Sequence, residues 1–237
     1  MKLTTVLFDL DGTLLPMDQD TFVQAYFGLL ARKLAPRNYP AKELIDAIWR
    51  GTAAMVQNDG SRTNEAVFWE CFQGRFGPRV LEDMPLFEEY YRTDFEQVQS
   101  VCGHTDQAAR AVELCRELGL RTALATNPIF PAVATRARIR WAGLTPERFE
   151  LITTYENSRS CKPNLLYYRE VTEKLGVSPE ECLMVGNDVQ EDMVARELGM
   201  RVFLLTPCMI NKQGADIAQY PHGDFPELTH FLETAAH

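Results

Sequence analysis

"TTVLFDLDGTLL", Thr4 to Leu15, begins as a strand made for the inside of a protein and ends in acid. Thr4 to Phe8 is β-branched or apolar throughout, the pattern of a strand buried on both faces. Asp9 and Asp11 follow, two residues apart, with Gly12 and Thr13 directly after them. Side chains two apart on an extended chain share a face. Both carboxylates can therefore point into one space while Leu10 turns away, and Gly12 permits the backbone turn this needs. An Asp-Gly pair after a strand is also an ordinary turn. The ends of the other strands separate the two readings.

Downstream of this strand, residues 17–103 show helix after helix and no convincing strand. Apolar stripes mark helices over 20–34 (Phe22, Tyr26, Leu29, Leu30), 41–56 (Leu44, Ile45, Ile48, Trp49) and 65–76 (Val67, Phe68, Cys71, Phe72), with a fourth over 86–98. After Gly103 the rhythm changes. Strands are expected at 121–127, 149–154, 182–188 and 201–206. Helices are expected at 105–118, 130–141, 163–175, 189–198 and, in the loop-rich tail, 226–235. Strands alternating with helices imply a parallel sheet covered on both faces. The expected fold is α/β: a Rossmann-like, mostly parallel sheet core over residues 1–16 and 104–237. An α-helical cap, residues 17–103, is inserted after the first strand.

Functional groups in such sheets gather beyond the carboxyl ends of the strands. The first strand ends in Asp9 and Asp11, another in Thr126 and Asn127, and a third in Asn187 and Asp188, with Asp192 four residues on. Lys162 sits in "SRSCKPN", just before a proline-started helix. Clustered carboxylates repel one another, and a hard divalent cation such as Mg²⁺, which prefers oxygen ligands, relieves that repulsion. Lys162, Thr126 and Asn127 supply donors for an anion. Metal, donors and a free carboxylate outline a phosphoryl-transfer site. One acid of the first pair attacks phosphorus, and the other protonates the leaving oxygen and then activates water.

The rest of the composition is consistent with this. The chain has 237 residues, 46% hydrophobic and 24% charged, and a formal charge of -9, which argues against nucleic acid and acidic membranes as partners. Six scattered cysteines form no CxxC pair and read as the reduced thiols of a cytoplasmic protein. No signal-peptide cleavage site or apolar run of about 20 residues suggests export or a membrane span. His104, His222, His230 and His237 lack metal-ligand spacing. Phe68, Trp69, Phe72 and Phe76 read as cap core rather than a ligand stack. Arg62, in the loop "NDGSRTN", is a candidate for reading the substrate.

These motifs resemble those of the haloacid dehalogenase-like hydrolase superfamily. "DLDGT" (Asp9–Thr13) matches its first signature, "LATN" (Leu124–Asn127) its second, Lys162 in "SCKPN" its third, and "VGNDVQED" (Val185–Asp192) its fourth, in the family's order. Together the motifs and the helical block cover most of the chain. The resemblance implies Asp9 as nucleophile and Mg²⁺ ligand, and Asp11 as general acid/base that also offers its backbone carbonyl to the metal. Thr126 would bind the phosphoryl group, and Lys162 would neutralise it and hold Asp9. Asp188 would be the remaining metal ligand, with Asp192 or Asn187 as alternatives. Many relatives carry an acid where this chain has Asn187. Dehalogenases of the superfamily lack the acid at Asp11, which favours a phosphatase acting on a small phosphorylated metabolite through an aspartyl-phosphate. A sugar phosphomutase and a non-catalytic binding module are the rivals. A phosphonate-cleaving relative needs a cap lysine, and Lys33 and Lys42 stand in no obvious loop for it. Monomer and homodimer both remain open.

Overall fold

The computed structural model describes residues 2–235; His237 lies outside them. Five parallel strands form one sheet: β1 (Thr5–Phe8), β2 (Arg121–Leu124), β3 (Cys182–Gly186), β4 (Arg201–Leu205) and β5 (His222–Gly223), in the order β2-β1-β3-β4-β5. Phe8 lies opposite Leu124 on one side and Val185 on the other. β1, β2 and β3 therefore end level, and the residues after them emerge along one edge.

The inner strands are apolar on both faces, as their unbroken composition requires. Val6, Phe8, Val185 and Phe203 face one apolar cluster, which α5 (Asp106–Glu117) and α8 (Phe225–Ala235) cover. Leu7, Ala123, Met184 and Leu204 face the other, packed by Tyr167, Tyr168 and Val171 of α7 (Leu165–Leu175). The remaining helix of this part, α6 (Ala132–Trp141), follows the loop after β2.

Between β1 and β2 the chain makes α1 (Gln19–Leu34), α2 (Ala41–Val56), α3 (Asn64–Phe76) and α4 (Val80–Arg92), then a 3-10 segment over Asp94–Val101. Asp18 and Thr63 cap α1 and α3 by accepting the N–H of Thr21 and Ala66. Phe72 is fully buried among Tyr39, Phe68, Trp69, Phe76 and Phe87. Among the contacts between the insert and the sheet part, one closes the junction of the two and another reaches the loops beside the site. Gly103 N–H donates to the Pro16 carbonyl at 2.7 Å. The buried Asn64 side-chain amide donates to the Pro128 and Ser160 carbonyls, each at 3.2 Å.

Four sequence expectations change. The fourth helix starts at Val80 and runs through Pro85, because its first turns are docked: Asp83 accepts from Arg37 Nε and Tyr39 Oη, both at 2.8 Å. Residues 149–154 make a single bridge, Leu124 to Ile152, instead of a strand. Residues 189–198 give only a 3-10 turn, Met193–Leu198, because side chains take the backbone donors before it, as described below. The tail contributes β5, two residues too short to show any alternation.

Candidate active site

All the acids singled out in the sequence line one cavity at the carboxyl edge of the sheet. Asp9, Asp11, Thr126, Asn127, Asn187, Asp188, Glu191 and Asp192 form one end of a space of about 300 Å³, and the four insert helices wall the other. Asp9 continues β1 and donates its backbone N–H to Val185 at 2.9 Å. Gly12 then turns with φ +82, and a Cβ there would run into the Asn187 amide. Thr13 Oγ1 donates to Asp9 Oδ2 at 3.2 Å and Asn187 Oδ1 at 3.0 Å. Asn187 Nδ2 donates to the Cys208 carbonyl at 2.6 Å. The residue standing where many relatives have an acid thus ties three loops together.

Lys162 is the electrostatic centre. Its ammonium donates to Asp9 Oδ1 at 2.9 Å and Asp192 Oδ1 at 2.6 Å, with only 1% of the residue exposed. Burial opposes the charge, yet the two carboxylates hold the lysine pKa well above its ordinary value. Asp192 is itself pushed up by burial against the pull of Lys162. The ion pair prevails, since one ammonium is shared by two carboxylates at hydrogen-bond distance. Asp192 Oδ2 accepts the Asp188 N–H at 2.9 Å, and Asp188 Oδ1 accepts those of Gln190 and Glu191 at 2.8 and 2.9 Å. These three bonds replace the first turn of the expected helix and aim both acids at the cavity.

Thr126 and Asn127 leave β2 beside Asp9. The Thr126 carbonyl accepts from Thr153 Oγ1 at 2.7 Å and Tyr167 Oη at 2.9 Å, so α7 braces this loop from below. Asn127 Nδ2 donates to Glu191 Oε2 at 3.0 Å.

Three contributors were not legible in the sequence. Arg138, on α6, is 1% exposed and pairs with Asp11 Oδ2, its guanidinium lying 4.3 Å from the Phe130 ring centre. Burial raises the Asp11 pKa while Arg138 pulls it down. Glu191 is pushed by burial from 4.5 to about 7. Lys212, from the tail, joins the cavity wall. Conversely, Arg62 pairs with Glu70 at 2.5 Å and is not part of the lining. Phe68 and Trp69 are both insert packing and cavity wall. His104, His222 and His230 are exposed, and all six cysteines are free.

Among the described residues no group of three or more His, Cys, Asp or Glu side chains is gathered closely enough to hold a metal ion by itself. The donor set instead suits a hard cation that keeps water and substrate as ligands. It is all oxygen, and Asp11 Oδ1 is buried with no hydrogen-bond partner. Asp9, Asp11 and Asp188, which all line the cavity, could contribute oxygens to such an ion. No helix among the described residues is long and apolar enough to cross a membrane.

The model of the haloacid dehalogenase-like hydrolase family matches residues 3–199. A phosphoglycolate phosphatase of Xylella fastidiosa is 28% identical over 83% of this chain and 77% of its own. A pyrophosphatase PpaX of Bacillus pumilus is 24% identical over 84% and 81%. Among solved structures, a HAD phosphatase from Thermococcus onnurineus superposes with TM-score 0.57 at 21% identity, covering 97% of this chain and 98% of its own. A 2-haloacid dehalogenase from Pseudomonas syringae pv. Tomato DC3000 superposes with TM-score 0.63 at 19% identity, covering 98% and 99%. At these identities the superpositions speak for the fold alone.

Proposed function

This chain belongs to the haloacid dehalogenase-like hydrolases and is a phosphate-ester hydrolase of that family, and from there we propose that it cleaves small phosphate monoesters through an aspartyl-phosphate at Asp9. The observation that carries this is the shared ammonium of Lys162, which holds Asp9 in place on the cavity that Asp11 also lines. Asp9 Oδ attacks phosphorus as the bond to the leaving oxygen breaks, and Asp11 delivers its proton to that oxygen. Asp11 then takes a proton from water as the water oxygen attacks phosphorus and Asp9 is released. Asp11 must exist in both protonation states, and its surroundings pull both ways: burial favours the acid and Arg138 the carboxylate.

Thr126 would donate to a phosphoryl oxygen, and Lys162 would offset its charge. Asp9, the Asp11 carbonyl and Asp188 would hold Mg²⁺, with Asp192 engaged on Lys162. When bound, the ion neutralises charge shared by the acids and the phosphate. We read residues 17–103 as a cap over residues 1–16 and 104–237, whose closure excludes bulk water. The names of several relatives, phosphoglycolate phosphatase and pyrophosphatase among them, support phosphate hydrolysis. A largely aromatic chamber offers few partners for sugar hydroxyls, which favours water over a sugar phosphate as acceptor. The test is release of p-nitrophenol from p-nitrophenyl phosphate with Mg²⁺ and after chelation. Asp9→Asn should abolish it, and undiminished turnover in that variant would refute the mechanism.

A further inference from the structure

The catalytic acids occupy only one end of the cavity, and the other end has a different chemistry. There the lining comes from α1–α4 and the loops that carry Phe130 and Tyr155. It includes ten aromatic side chains, among them Phe22, Tyr26, Phe27, Phe68 and Phe87. None of the residues that the four helices contribute is charged. The one lysine on the wall, Lys212, comes two residues after Ile210, whose backbone bridges to Asp188, so it enters the wall from the acid end. Arg138 is committed to Asp11 and Lys162 to Asp9 and Asp192.

A leaving group with its own carboxylate or phosphate would enter this chamber with no cation to meet it. Moving an ion from water into an apolar space without a partner is strongly unfavourable. An apolar ring, by contrast, gains both area burial and ring-to-ring contact. The wall also carries polar side chains, Gln19, Thr52 and three tyrosines among them, and one buried donor stands out. Trp69 Nε1 is buried and finds no acceptor of hydrogen-bonding geometry, although it lies near enough to the Tyr155 phenol to bear on its ionisation. An unpaired indole N–H beside an aromatic cavity suits an uncharged acceptor on a ligand.

We propose that the substrates are monoesters of uncharged, bulky apolar alcohols or phenols, aromatic for preference, with the hydrocarbon body held between α1, α2 and α3. This rests on the phosphatase reading and narrows it. It sets this chain apart from any enzyme whose leaving group is a small carboxylic acid.

The experiment uses the full chain with Mg²⁺ and follows phosphate release from 2-naphthyl phosphate, phenyl phosphate, 3-carboxyphenyl phosphate and phosphoglycolate. The expected kcat/KM for 2-naphthyl phosphate exceeds those for the two carboxylated esters by about tenfold or more. Equal or better turnover of the carboxylated esters overturns the substrate class and leaves the phosphatase reading standing. Phosphate release from none of the four overturns both. Thr52 of α2, half-buried on the wall, provides the second arm. Thr52→Arg should shift the preference toward 3-carboxyphenyl phosphate, and a folded variant with an unchanged ratio overturns the proposal. Should Thr52→Arg not fold, Trp49→Ala serves instead, since Trp49 lines the chamber with half its surface exposed. That variant should raise KM for 2-naphthyl phosphate severalfold more than for phenyl phosphate, and equal effects on both esters count against the chamber as the binding site.

Discussion

Replacing Lys162 with methionine keeps the length and most of the volume of the side chain and removes one charge. In the native protein that charge lies 2.9 Å from Asp9 and 2.6 Å from Asp192, inside a site where Lys162 and Asp192 are each 1% exposed. Its loss leaves two carboxylates facing each other with little water. Breaking a buried ion pair by removing one partner costs about 3–5 kcal/mol, and we expect Lys162→Met to fall in that range. The pH dependence identifies the cause. Without the lysine, burial and the Asp9 charge hold the folded-state pKa of Asp192 further above its unfolded value. The penalty is then absent below the unfolded value and grows as pH rises through the folded one. Urea unfolding with chelator present should therefore show the largest gap between variant and wild type near pH 8 and a smaller one near pH 5. Adding Asp192→Asn to Lys162→Met should recover a good part of the loss, since an amide oxygen can still accept the Asp188 N–H. A single variant as stable as wild type at pH 8, or a gap that does not change with pH, would show that the lysine is not what makes this cluster tolerable.

Arg138→Leu removes the ion pair on Asp11 and the contact with Phe130. Turnover of an alkyl phosphate should fall about 10- to 100-fold more than that of p-nitrophenyl phosphate, whose leaving group needs no proton, with partial rescue by Arg138→Lys. Equal losses on both esters would assign Arg138 a merely structural part. Glu191 is raised by burial from 4.5 to about 7, so its native environment favours the protonated form, and stability is lost as pH rises through 7. Glu191→Gln keeps an acceptor for Asn127 and should stabilise the chelated protein by up to about 3 kcal/mol at pH 8. The advantage should vanish below pH 4.5, as thermal melts across that range would show. Phe72→Ala opens a cavity in a fully buried aromatic cluster of the insert and should cost about 3–5 kcal/mol in denaturant unfolding; a loss under 1 kcal/mol would mean that the insert repacks.

Local pattern carried a great deal. The run ending in Asp9 and Asp11 is an inner strand of a parallel sheet, as its unbroken apolar composition demands. The helices of the insert begin within a residue or two of their predicted starts wherever a cap or a clean stripe marks them, as at Thr63. The errors fall where distant groups overrule local preference. The fourth helix, expected over 86–98, starts at Val80 because Arg37 and Tyr39 dock Asp83 ahead of Pro85. The helix expected over 189–198 loses its first turn because the Asp188 and Asp192 carboxylates take the backbone donors there.

The sequence by itself determined the sheet, the order of its acids along the chain, and the kind of chemistry that acids at strand ends can do, because burial and strand periodicity are read from near neighbours. Only the tertiary structure decided which charges meet. Lys162 reaches Asp9 across 153 positions of chain, and Arg138 reaches Asp11 across 127. It likewise decided that four helices, each with an ordinary apolar face, wall one end of the acidic cavity without adding a charged side chain to it. Side-chain convergence of this kind depends on how elements pack in space, and no spacing along the chain records it.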